Sequence, residues 1–204
     1  AGLRDRIPGR PLYSGVIRAL KRRSRRDVRA RRATVVAALR NAGAELRFVN
    51  GGGTGSIEST RAEETVTEVT AGSGFFAPGL FDDYAGFQHL PAAGFALEIV
   101  RLPEPGVYTC QGGGYVASGE AGPDKLPKPY LPEGAALIAQ EGAGEVQTPI
   151  VYRGPRRLAI GDPIFLRHAK AGELCERFDS LTLIANGNIV GEAPTYRGDG
   201  RCFS

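Results

Sequence analysis

Methionine and tryptophan are absent from this 204-residue chain, and its three cysteines, Cys110, Cys175 and Cys202, lie far apart without a CxxC pair. That spacing excludes a zinc ribbon and a disulfide framework, which leaves free thiols as the simplest reading. No apolar run approaches the roughly 18 residues that a membrane span needs, and no signal-peptide pattern opens the sequence. The cytoplasm is therefore the expected compartment. Nowhere does Gly-Lys-Ser/Thr follow a glycine-rich turn in Walker fashion, nor does GxGxxG precede a helix. The missing methionine, together with an opening AGLRDRIPGRP that reads as loop, is what a piece of a longer protein would show.

What is present is an ordinary globular mixture, 42% hydrophobic and 24% charged, long enough for one domain or two modest ones. Charge is unevenly spread. Residues 1 to 47 carry 14 Lys and Arg against 3 Asp and Glu, or +11, whereas the remainder carries 12 against 19, or −7. Most of the excess sits in KRRSRRDVRARR, Lys21 to Arg32. One reading is nucleic-acid binding, since arginines neutralise phosphates. The other is a solvated helix face, because Val28, Val35, Val36 and Leu39 recur at near-helical spacing between the arginines. No aromatic residue interleaves with the arginines to stack on bases, which makes the nucleic-acid reading the weaker one.

The element order is legible from there. Ser24 and Asp27 predict a helix start and Asn41-Ala42-Gly43 its end, giving a helix over about 25 to 42. A strand at Leu46 to Asn50, a glycine loop, a short helix at Ser59 to Thr65, a strand at Val66 to Thr70 and a second loop at Ala71 to Gly74 follow. This alternation is that of an α/β unit with a parallel sheet, whose ligands sit beyond the carboxyl ends of the strands. After Tyr84 the texture becomes short apolar or alternating segments between Pro, Gly and Asp, at 93–100, 106–110, 135–139, 147–152 and 181–185. These predict a β domain beyond a boundary at 88 to 92.

The segment Phe48 to Ser56, FVNGGGTGS, has the form of a phosphate cradle. Glycines let successive backbone N–H groups converge on an anion, and the Thr54 and Ser56 hydroxyls can add donors. A bare turn after a strand is the alternative reading.

FVNGGGTGS, EVTAGSG (68–74), LFDDY (80–84), GGGYVASG (112–119), GDPIFLRHA (161–169) and PTYRGDG (194–200), in that order, resemble the D-threonine aldolase and D-serine dehydratase group. The bacterial amino acid deaminase or aldolase branch is the most similar. The resemblance implies α/β plus β: C-terminal strands and helices of an alanine-racemase-type (β/α)8 barrel over 1–90, then a mostly β domain over 91–204. It implies pyridoxal 5′-phosphate held by Asn50, Gly51, Gly52, Gly53, Thr54, Gly55 and Ser56, with Gly72 and Ser73 on the same ligand and Tyr84 near it. A packed aromatic at a domain junction is the other reading of Tyr84. It further implies a lyase acting on a D-amino acid by aldol cleavage, dehydration or deamination, a homodimer, and a divalent metal such as zinc. His168 is the catalytic candidate, directly or as metal ligand with Cys175, which follows seven residues later. A hydrogen-bonded structural histidine and a packed cysteine are the alternative. No membrane partner is implied.

The chain departs from the group's pattern in several places. Where a cysteine or aspartate ligand belongs, two residues after His168, stands Lys170, Gln111 or glycine replaces an acidic residue, and Glu141 to Glu145 lacks an expected histidine. These departures point to a different amino acid substrate or to chemistry without metal. The lysine that bonds the cofactor belongs, in this group, to the first barrel strand. The lysines here, Lys21, Lys125, Lys128 and Lys170, have no such context. A non-catalytic cofactor-binding or dimerisation module of the same fold is thus the second reading of function, and a basic nucleic-acid-binding protein the third.

Overall fold

A computed structural model describes residues 4–120 and 122–201. Its first element, helix α1 (Pro11–Asn41), begins 14 residues before the expected start at 25. Proline is suited to the first helical position, where its missing N–H would have had no partner, and the Ser14 hydroxyl closes the entry by accepting from the Ile7 amide at 2.9 Å. The predicted end holds. Ala42 donates to Ala38 and Ala44 to Leu39, while Gly43 adopts φ +82°, the left-handed conformation that ends helices.

The chain divides into two compact units, Ala1–Phe75 with Phe81–Leu90, and Phe76–Leu80 with Pro91–Ser204. In the first, strands β1 (Asn50–Gly51) and β2 (Glu68–Val69) pair in parallel, Asn50 opposite Glu68 and Gly51 opposite Val69. Both are shorter than the sequence predicts. The Thr67 and Glu68 amides converge on the single Val49 carbonyl, so a regular ladder begins only at Asn50. Between the strands a 3-10 turn (Thr54–Ser56) runs straight into helix α2 (Ile57–Thr60), which replaces the expected helix over 59–65.

Lys21 does not share the solvated face of its arginine neighbours. Its ammonium is buried and pairs with buried Asp5 at 3.0 Å, while sitting 4.6 Å from the Tyr84 ring centre. Asp5 also accepts from the Ala85 amide at 2.7 Å, and Asp83 accepts from the Asp5 and Arg6 amides. Of the arginines in this stretch, Arg31 pairs with Asp27, Arg32 with Glu63 and Arg29 with Glu64.

In the second unit, β3 (Phe95–Glu104), β4 (Val107–Gln111), β5 (Lys128–Leu131), β6 (Ala136–Leu137), β7 (Gln147–Val151) and β8 (Pro163–Arg167) form one antiparallel sheet. The spatial order is β5-β8-β3-β4-β7-β6, and the two edge strands approach each other, so the sheet nearly closes. Alternation supplies its core: Phe95, Leu97 and Ile99 of β3, Tyr108 and Cys110 of β4, Ile150 of β7 and Ile164 and Leu166 of β8 all face inward. Gly94 is needed at the start of β3, where a Cβ would lie 2.6 Å from the Leu166 carbonyl oxygen. Helix α3 (Ala171–Arg177) buries Leu174 in the same core, and β9 (Ser180–Ala185) and β10 (Asn188–Pro194) make a separate hairpin. Its turn is Asn186-Gly187, both at positive φ, the pair that a two-residue hairpin favours. Segment 76–80 docks on this unit: Gly79 and Leu80 donate to the carbonyls of His168 and Ala169, and the Arg167 guanidinium donates to the Ala77 carbonyl at 2.8 Å.

Candidate functional site

The two glycine loops leave β1 and β2, parallel neighbours, at their carboxyl ends, and they meet. The Thr54 hydroxyl, buried, donates to the Ala71 carbonyl at 2.7 Å and staples one loop to the other. It is thereby committed to protein, whereas the sequence reading offered it to an anion. Asn50 is engaged as well: its amide nitrogen donates to Glu68, and its oxygen accepts from Thr70 at 3.0 Å. These bonds fix the strand ends on which the loops stand.

Backbone donors remain. Gly53, Thr54 and Gly55 open the 3-10 turn, where the first amides have no intrahelical acceptor, and the turn closes only with Ser56 donating to the Gly53 carbonyl at 2.8 Å. A Cβ built on Gly53 would meet nothing within 4 Å, and the same holds for Gly72 on the second loop. The two glycines thus face open space. On the protein side the glycines are held by close packing: Thr60 lies under Gly51 and Gly52, and the Arg32 guanidinium stands 3.4 Å from a Cβ at Gly51. Neither Thr60 nor Arg32 was marked as a site residue by the sequence. Arg32 lies in the basic run, and its distance from Gly51 in sequence hides its role as a cation beside the loop.

Tyr84 belongs to the same unit and is buried. Its ring packs on Phe81 and Phe87, and it lies where a side chain on Gly55 would go, 2.7 Å from a Cβ there. Burial, and then the Asp5 carboxylate, push its phenol above the ordinary value. Gly55→Ala is therefore expected to displace either the ring or the turn and to lower stability by about 1–3 kcal/mol in urea unfolding, the usual effect of overpacking.

His168 and Cys175 lie in the other unit. His168 follows β8, is only 1% exposed, and meets the Phe76 ring edge-on at 6.1 Å. Both of its ring nitrogens are buried and neither makes a well-formed hydrogen bond, the Ala93 backbone being only a weak partner. Burial, reinforced by Arg167 and partly offset by the Ala93 backbone, brings its pKa down to about 4, so the ring is neutral at physiological pH. Cys175 is half-buried on α3, and burial raises its thiol pKa. Cys110 is fully buried with its thiol pushed up to about 11, and Cys202 lies outside the described residues. Among the described residues no group of three or more His, Cys, Asp or Glu side chains could hold a metal ion.

A group that the sequence did not mark is Glu173. Its carboxylate accepts from the Ala169 and Lys170 amides at 2.9 and 3.0 Å and so fixes the turn that follows His168. Its place in the first turn of a helix was the available signal. The lysines are all engaged with protein: Lys21 with Asp5, Lys125 with Asp124, Lys128 with the Gly79 carbonyl and Lys170 with Ser118.

No family model matches the sequence, and no curated protein matches it. Solved structures do share its fold. D-threonine aldolase from Filomicrobium marinum superposes with a TM-score of 0.67 at 21% identity, over 82% of this chain and 46% of that one. D-threo-3-hydroxyaspartate dehydratase from Delftia sp. HT23 gives 0.61 at 18% identity, over 85% and 51%. An alanine racemase from Clostridium difficile 630 in complex with cycloserine gives 0.52 at 12% identity, over 95% and 54%. The fold is the one these enzymes share, and the chain spans about half of their length. No helix among the described residues is long and apolar enough to cross a membrane.

Proposed function

We propose that the paired loops bind the phosphate of pyridoxal 5′-phosphate, and that the chain is part of a lyase acting on a D-amino acid of the D-threonine aldolase or D-serine dehydratase type. The observation that carries the reading is the open space before Gly53 and Gly72 beside amides that have no helical acceptor. The fold shared with the aldolase and the dehydratase supports it. Residues 1–90 would then complete a cofactor-binding barrel and residues 91–204 form the β domain, in a homodimer.

When bound, the cofactor supplies an electron sink for breaking a bond at the substrate Cα. The chain's own part is to anchor. The Gly53, Thr54 and Gly55 amides and the Ser73 hydroxyl would hold the phosphate, joined by the Ser56 hydroxyl once it leaves its long 3.4 Å bond to the Gly53 carbonyl, while Arg32, paired with Glu63, would back the loop at Gly51 and Tyr84 would keep the turn in shape through Gly55. His168, neutral and with neither nitrogen in a well-formed hydrogen bond, is the group proposed to take or return the proton of the substrate β-hydroxyl. His168 and Cys175 fall short of the three protein ligands of a catalytic zinc site, so no step is routed through a metal. The second reading, a non-catalytic cofactor-binding or dimerisation module, is favoured by the commitment of every lysine to a protein partner.

Pyridoxine 5′-phosphate tests the anchor without needing a lysine. Gly53 has an extended φ of 175°, open to any residue, so Gly53→Val should leave the melting temperature unchanged while its side chain fills the cradle. Binding at least about tenfold weaker than in the parent, roughly one lost charge-assisted hydrogen bond, is the expected result in a fluorescence titration. Equal affinity in parent and variant would remove the phosphate reading.

A further inference from the structure

We infer that the β unit carries a second anion site, a cleft at the β3–β4 turn that takes a small molecule bearing two or more adjacent oxyanions. The cleft holds about 750 Å³ and is lined by Tyr108, Tyr152, Arg153, Arg156, Arg157 and Glu104, among others. That volume lies within the range of roughly 300–1,000 Å³ of small-ligand sites.

The sheet builds it. Strands β4 and β7 pair with Tyr108 opposite Ile150 and Val107 opposite Val151, and Tyr152 extends the pairing by donating its amide to the Gly106 carbonyl at 2.9 Å. This brings both tyrosines and the Arg153–Arg157 loop to one end. A Cβ on Gly154 would fall 2.3 Å from the Tyr152 hydroxyl, so glycine there keeps the oxygen clear.

Two independent observations point to a ligand. Tyr108 and Tyr152 are 7% and 4% exposed, yet among the described residues neither hydroxyl has a protein partner, and neither is sealed from solvent. Buried tyrosines ordinarily find a hydrogen-bond partner for the hydroxyl, and here the group open to both is the cleft. The second is charge. Arg153 and Arg157 have no acidic partner among the described residues, and Arg156 reaches Asp162 only at 3.4 Å. Glu104 is the one acid among the lining residues. Hydroxyl donors and planar guanidinium forks together match phosphoryl or carboxylate oxygens, and the forks bind them two at a time. The tyrosine rings and the flanking Pro103, Pro105 and Pro155 offer the ligand's body an apolar wall.

Isothermal titration of the full chain with pyrophosphate and with citrate tests this, using Gly53→Val as the parent so that the glycine loops do not contribute. One saturable site for at least one of the two anions is expected. Arg153→Ala with Arg157→Ala should weaken it about tenfold or more, and Tyr152→Phe, which keeps the ring, by about threefold to tenfold. A preference for pyrophosphate marks a phosphate ester as the natural occupant, and one for citrate marks a polycarboxylate. The arginines are exposed, so circular dichroism melts of the double variant should match the parent. If neither anion binds at millimolar concentration, or if the double arginine variant binds as tightly as its parent, the inference is overturned.

Discussion

Lys21→Met is expected to destabilise the unit built on α1 by about 3–5 kcal/mol, the loss typical when one partner of a buried ion pair is removed. Asp5 would be left as a buried carboxylate with the Ala85 amide and the more distant Arg25 charge against it, and the Tyr84 ring would lose the ammonium above it. The double variant Asp5→Leu/Lys21→Met should recover most of the loss, since an apolar pair of similar volume needs no charge compensation. Urea unfolding of the parent, both single variants and the double variant measures this, and a single variant within about 1 kcal/mol of the parent, as for an exposed pair, would show that the pair is not desolvated. The pH dependence has a definite sign. Burial raises the Asp5 pKa, but the Ala85 amide, Lys21 and Arg25 outweigh it and hold the carboxyl below its ordinary 3.8. Its contribution is therefore complete above about pH 4 and lost as the pH falls through the lowered value.

His168 gives the second large effect, in a different pH window. The folded chain keeps the ring neutral down to about pH 4, whereas the unfolded chain protonates it near the ordinary 6.5. Between those values the unfolded state binds the extra proton, so stability falls as pH drops from 6.5 toward 4. The ceiling is about 3 kcal/mol, from about 1.4 kcal/mol per unit of displacement. His168→Phe keeps a ring against Phe76 and removes both buried nitrogens, so its urea midpoint should lose this slope. Glu173 acts with the opposite sign, because burial raises its carboxyl despite the Lys170 and Ala169 amides and the nearby cations. The His168 contribution is therefore read from the difference between parent and variant. Parallel slopes in the two proteins would show that the ring is not held neutral by the fold. In a complete lyase the same substitution separates the two readings of His168. A turnover loss of about a hundredfold or more, typical for removing a general acid or base, marks a proton-transfer role, and a stability change alone marks a structural one.

How much of this was legible varies with the range of the interaction. Local chemistry was readable: Asn41-Ala42-Gly43 ends α1 because only backbone conformation is involved, and the glycines of 51–55 and 72–74 announced two loops at parallel strand ends. Residue type misled where position mattered. The opening AGLRDRIPGRP reads as loop, yet proline at the first helical position is compatible with a helix, and α1 begins at Pro11. The strand β10 escaped although Asn186-Gly187 is a strong hairpin signal. Long-range pairings were invisible: Lys21 reads as one more solvated cation until Asp5 is folded onto it from 16 residues away. The same holds for Tyr108 and the arginines of 153–157, which the β4–β7 register alone brings together.

The five residues Phe76–Leu80 have a consequence for how such a chain can be inherited or recombined. They are encoded between two stretches of the first unit but belong to the second, so the polypeptide crosses from one to the other three times before residue 92. A gene fusion or exon boundary placed at residue 90 would deliver residues 91–204 without the donors that Gly79 and Leu80 supply to the His168 and Ala169 carbonyls. Shuffling at that junction splits the second unit, while a cut just upstream of Phe76 parts Phe81–Leu90 from the rest of the first, so no single cut in this stretch leaves both units whole.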